Sequence, residues 1–131
     1  MFLDASAIVA MLADEEERPS LLATLANAPD PITSPLATFE TTLAIARRKG
    51  LEPVAALEVV EAFLSASGVR IVEIGIAEQR MALLAHARFG KGRHPAALNM
   101  GDCFAYACAV ANGQPLLFKG NDFSQTDVDQ A

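Results

Sequence analysis

Two short apolar runs, each leading into an acid, frame this chain, and what lies between them is mostly helical in pattern. Met1–Ala5 is apolar apart from Asp4, and Leu116–Phe118 is followed within four residues by Asp122. Ile32–Ser34, between prolines, and Val69–Ile74, which alternates, read as two more extended pieces. Ser6–Ala13, Pro19–Ala28, Leu36–Lys49, Pro53–Ala66, Ile76–Phe89 and Asn99–Asn112 read as helices, with Pro19 suited to a first turn and Gly50 to a stop. Strands separated by helices can pair in parallel only through crossovers. The pattern therefore predicts an α/β chain with three layers, a mostly parallel central sheet and helices on both faces. No strand is legible beyond Phe118. In such sheets, sites form at the carboxyl ends of strands, where Asp4 and Asp122 fall.

The 131 residues suit one domain, 1–131, and no repeat, linker or low-complexity tract divides them. At 52% apolar the chain carries more hydrophobic surface than one core of this size absorbs, which predicts an apolar interface with another subunit. The longest apolar run, Cys103–Ala111, falls far short of the roughly 20 residues that span a bilayer, and no basic stretch precedes an apolar one as in a targeting segment. Cys103 and Cys108 lie five apart on one helix. Their side chains diverge by about 140° and their Cα atoms by roughly 8 Å, too far for a disulfide. Two buried free thiols fit a reducing, cytoplasmic setting.

A net charge of −6 weighs against a nucleic-acid ligand, but the charges are unevenly spread. Arg47, Arg48 and Lys49 form one basic cluster. Arg70, Arg80, Arg88, Lys91 and Arg93 share a stretch whose only acids are Glu73 and Glu78. A local basic surface is thus compatible with an acidic total, and Arg88, Lys91 and Arg93, at a helix end and in a loop, are the candidate nucleic-acid contacts. Lys119 reads as a solvated lysine. His86 reads as lying on a polar helix side and His94 in a loop, neither of them catalytic.

Four acids stand out, each with a plain alternative. Asp4 can cap the helix that follows it. Asp102, three residues after Asn99, can complete a capping box. Asp122 can favour a helix N-terminus. Glu40 is harder to explain, because it lies about 40° from Leu36 and about 60° from Leu43 on a helical wheel, at the margin of a stripe drawn through Leu36, Phe39, Leu43 and Ala46. A carboxylate there is costly unless something positive meets it. Hard divalent cations take carboxylate oxygens, and a bound cation would relieve the mutual repulsion of all four acids together.

The segments FLDAS, SPLATFETTLAIARR, HPAALNMGDCFAYACA and LLFKGNDF resemble those of the PIN-domain nucleases, specifically the VapC-type toxins of bacterial toxin–antitoxin pairs. The resemblance runs through nearly the whole chain with the motifs in the family's order. It implies a PIN fold, RNA cleavage dependent on Mg²⁺ or Mn²⁺, a homodimer, and a cognate antitoxin that blocks the site. It also implies that Asp4, Glu40, Asp102 and Asp122 are the metal-site acids, Ser6 a polar helper and Asp127 a fifth acid. Two other readings compete. A haloacid-dehalogenase-type phosphatase also starts with an acid after strand one, but its second acid two residues on is here Ser6. A non-catalytic receiver-like or degenerate PIN module needs no intact acid set.

Overall fold

Alternation along four very short strands decides the layering. A computed structural model describes residues 1–131. Its strands are β1 (Phe2–Leu3), β2 (Ile32–Thr33), β3 (Arg70–Ile71) and β4 (Leu116–Leu117). All pairings are parallel, in the order β3-β2-β1-β4. Successive side chains of a strand face opposite sides. Phe2, Ile32 and Leu116 accordingly enter one core, and Leu3 and Leu117 enter the other.

The first core is closed by α1 (Ala5–Leu12), α2 (Arg18–Ala26), α3 (Pro35–Lys49) and α4 (Pro53–Ala66). The second is closed by α5 (Ile76–Phe89), α6 (Met100–Ala111) and the segment carrying Phe123 and Val128. This is the three-layer α/β arrangement that the sequence predicts. Cys103 and Cys108 are buried free thiols in the second core, with burial pushing both upward in pKa.

The helix bounds follow the local chemistry. Ser34 Oγ accepts from Ala37 N at 3.2 Å, Pro35 opens α3, and Gly50 closes it at φ 63. The structure corrects which face of α3 is inward. Phe39 is 60% and Leu43 41% exposed, while Thr38, Thr41, Thr42 and Ile45 are buried. Thr38 and Thr42 can be buried because their Oγ1 atoms donate to Ser34 O at 2.9 Å and to Thr38 O at 2.8 Å, respectively. Apolarity alone therefore misplaced the stripe.

Two edges differ from expectation. Only Arg70–Ile71 of the predicted Val69–Ile74 strand pairs, because β3 is an exposed edge with one neighbour. At the opposite edge the chain returns beyond Phe118. Gln130 bridges Leu116 in parallel, with Leu116 N donating to Asp129 O at 2.7 Å.

The connections set up a switch point. From β1 the chain winds outward to β2 and β3, then crosses back to place β4 on the other side of β1. The crevice beyond the carboxyl ends of β1 and β4 is where such a sheet offers a site.

Candidate active site

At that crevice lies an open cleft of about 410 Å³, and Asp4, Glu40, Asp102 and Asp122 all line it. Each arrives from a different element. Asp4 ends β1, where its N–H donates to Leu117 O at 2.9 Å. Its side chain also caps α1, with Oδ2 accepting from Ser6 N at 2.9 Å and from the Ser6 hydroxyl. Ser6 Oγ in turn accepts from Lys119 N at 3.0 Å, tying the first turn of α1 to the exit of β4. Asp4 is only 5% exposed. Burial raises its pKa against the bonds from Ser6 and Ala5, and the charge of Asp122 adds to the rise.

Glu40, Ala44 and Arg48 are spaced by four along α3, and all three line the cleft. The Glu40 carboxylate rests on the backbone of Gly101. A Cβ at position 101 would stand 2.2 Å from Glu40 Oε1, so close an approach needs glycine there. Burial raises the Glu40 pKa first, then the charges of Asp4 and Asp102.

Asp102 sits in the first turn of α6 within a capping box. Asn99 N donates to its Oδ2 at 2.8 Å, and its own N–H donates to Asn99 Oδ1 at 3.0 Å. Its pKa is pushed up to about 6 by burial and by Asp4 and Asp122, with the Asn99 N–H opposing. Capping and site membership thus coexist in Asp4 and in Asp102. The cap fixes one oxygen and so aims the carboxyl group.

Asp122 is exposed on the loop after β4, held from below by Phe123, which is buried against Phe118 at a ring distance of 5.0 Å. No three of these acids converge on one point as a finished coordination sphere would. The donor set nevertheless fits a hard divalent cation: every donor is a carboxylate oxygen, and none of the four acids has a Lys or Arg partner.

Other expected residues are elsewhere. Asp127 is not in the cleft. Its Oδ1 accepts from Tyr106 OH at 2.8 Å and its Oδ2 from Arg88 at 2.7 Å, and these bonds lower its pKa. That places it apart from the other four acids, against the expectation of a fifth metal acid beside them, with its charge already met by Arg88. Arg88 is committed to that pair and lies 4.6 Å from the centre of the Phe89 ring. Lys91 lines a separate hollow between α5 and α6 that meets the cleft only at Asn99, and Arg93 lines neither. The cations that do line the cleft are Arg48 and Lys119. Lys119 is no free solvated lysine: it pairs with Glu15 and with Glu17 at 3.1 Å. The helical spacing of Arg48 from Glu40 was the available sequence signal for it.

Comparison with known proteins supplies the context. The PIN domain family model matches residues 1–129. A protein named Ribonuclease VapC from Mycolicibacterium smegmatis is 42% identical over 98% of this chain and 97% of its own length. Ribonuclease VapC30 of Mycobacterium tuberculosis is 40% identical over 98% and 95%. Among solved structures, Mycobacterium tuberculosis VapC20, described as a sarcin–ricin loop cleaving toxin, superposes with a TM-score of 0.79 at 20% identity, covering 99% of this chain and 97% of that one. Rickettsia felis VapBC2 bound to a promoter DNA fragment superposes with 0.75 at 13% identity, covering 99% and 96%. A toxin–antitoxin complex from Klebsiella pneumoniae gives 0.72 at 15%, covering 96% and 92%.

Proposed function

The chain belongs to the PIN-domain family, in its VapC ribonuclease branch, and from that premise we propose that it hydrolyses RNA phosphodiesters at the four-acid cleft with Mg²⁺ or Mn²⁺. It is the ribonuclease toxin of a toxin–antitoxin pair. We propose that residues 1–131 act as one nuclease domain. The carrying observation is that four carboxylates from four elements, none with a Lys or Arg partner, line one cleft at the switch point of a parallel sheet.

Asp4, Glu40, Asp102 and Asp122 would hold the cation. Bound there, it supplies a Lewis acid that acidifies water and offsets charge building on the phosphate. The protein's own contribution is positional. Ser6 fixes the Asp4 carboxyl through Oδ2, Asn99 fixes Asp102 through its backbone N–H, and Gly101 leaves room for Glu40. Raised proton affinity at three of the acids means that protons compete for the same oxygens, so occupancy by a cation weakens as pH falls toward 6.

Two exposed apolar faces suit the protein partners we propose, a second copy of the chain and an antitoxin segment. One is a groove between α3 and α4 bordered by Phe39, Leu43, Val54 and Ile71. The other carries Leu83, Leu84 and Met100 on α5 and α6. No helix is long and apolar enough to cross a membrane, and a cytoplasmic site of action suits an RNA substrate.

The test is cleavage of single-stranded RNA and of a small phosphate monoester, each with Mg²⁺, with Mn²⁺ and with EDTA. RNA cleavage that EDTA abolishes, with the monoester untouched, is the expected result. Monoester turnover without RNA cleavage would revive the phosphatase reading, and RNA cleavage unaffected by EDTA would remove the cation.

A further inference from the structure

An acidic cleft repels the phosphate backbone it must admit, so the cations on its rim matter more than those elsewhere. Arg48 and Lys119 are the only Lys or Arg side chains lining it. Both reach one carboxylate: Glu15 Oε1 accepts from Arg48, and Glu15 Oε2 accepts from Lys119, which also pairs with the more exposed Glu17 at 3.1 Å outside the cleft lining. Glu15 lines the same cleft, and its side chain is 15% exposed.

The arrangement is held from three sides. Arg48 stands two helical turns beyond Glu40 on the same face of α3. Lys119 lies three residues before Asp122, its backbone N–H fixed on Ser6 Oγ. Glu15 is turned back over the cleft because α1 ends in a Schellman-type cap. Asp14 takes the left-handed position at φ 54, and Glu15 N donates to Ala10 O at 3.1 Å.

One anionic group with two oxygens, gripped by a guanidinium and an ammonium, is the geometry in which those cations would hold two oxygens of a phosphodiester. We propose that Arg48 and Lys119 are the phosphate-gripping cations of this cleft, and that Glu15 occupies them as a built-in phosphate mimic that incoming RNA displaces. The proposal rests on the ribonuclease reading above. It moves the RNA contact from Arg88, Lys91 and Arg93 to the cleft's own rim. Arg18, Arg70 and Arg88 are paired with Asp14, Asp30 and Asp127 outside the cleft.

The experiment is binding of a fluorescent single-stranded RNA to the inactive Asp102→Asn protein across a salt series, with the melting temperature of each variant as a folding control. Lys119→Ala and Arg48→Ala should each weaken binding and flatten the salt slope by about 0.7, and Lys119→Arg should restore it. Glu15→Gln should tighten binding by up to about fivefold, the scale of one surface ion pair. Glu16→Gln, an exposed neighbour with the same charge change, should do less. With both cations removed, the effect of Glu15→Gln should shrink to that of Glu16→Gln.

A slope unchanged by both alanine variants would place the RNA elsewhere. Glu15→Gln matching Glu16→Gln in every background would reduce Glu15 to a structural tie. Either result overturns the proposal while leaving the nuclease reading intact. A parent protein that neither binds nor cleaves RNA overturns both.

Discussion

Asp102 and Asp127 belong to two regions that treat a carboxylate in opposite ways. Asp102 stands in the cleft with two other acids raising its pKa and no cation paired to it. Asp127 fastens the C-terminal segment to α5 and α6 through Arg88 and Tyr106, and its pKa is lowered. On the proposed reading, an acid's partners, more than its place in a motif, separate site from scaffold. An acid left in repulsion destabilises the folded chain and is ready for a cation; a satisfied one is already spent on structure.

The largest effect should come from removing a cleft acid or displacing one. Asp102→Asn should lower RNA cleavage by about a hundredfold or more, whereas Asp127→Asn should leave cleavage within a fewfold of the parent. Gly101→Ala should fold, because the atoms it meets belong to the movable end of Glu40. It should still cost about tenfold in rate by pushing that carboxylate aside. A fully active Gly101→Ala would show that Glu40 need not lie where the structure puts it.

Stability sharpens the same contrast. The Asp102 pKa rises from 3.8 to about 6 on folding, so the folded chain binds its proton more tightly than the unfolded chain does. The stability from that proton is fully present below about 3.8 and lost as pH rises through about 6. The acids with lowered pKa, Asp30, Asp127, Glu15 and Glu17, lose their contribution only below their ordinary values of 3.8 for Asp and 4.5 for Glu, beneath pH 5. Without divalent cations the protein should therefore melt higher at pH 5 than at pH 7.5. Asp102→Asn should stabilise it at pH 7.5 by about 1–2 kcal/mol, narrowing the gap. Melting that is flat across this range, and unchanged by the substitution, would contradict the repulsion.

The smallest effect concerns neither region. Thr41 Oγ1 is buried in α3 without a hydrogen-bond partner. Thr41→Val keeps the shape and should stabilise by about 1 kcal/mol, read from urea unfolding.

The sequence made the layering legible because strands and helices alternate. The bounds of α4 were legible as well, with Pro53 suited to its first turn. The four acids were legible because two follow strands, one follows a capping residue and one sits oddly on a helix. Three things were not. The buried face of α3 is threonine-rich, and the Thr38 and Thr42 hydroxyls are satisfied by i−4 carbonyls that no apolar pattern reveals. The pairs Arg88–Asp127 and Lys119–Glu15 join residues 39 and 104 apart, separations that local pattern cannot carry. The return of Gln130 to β4 is a single bridge, too short for any alternation to show.

The most direct test is calorimetric titration with Mn²⁺ of the parent, Asp102→Asn and Asp127→Asn proteins at pH 7.5. The parent should bind, Asp102→Asn should bind at least about tenfold more weakly, and Asp127→Asn should match the parent. Equal binding by the parent and Asp102→Asn, or a loss in Asp127→Asn as large as that in Asp102→Asn, would contradict the claim that the unpartnered cleft acids form the cation site.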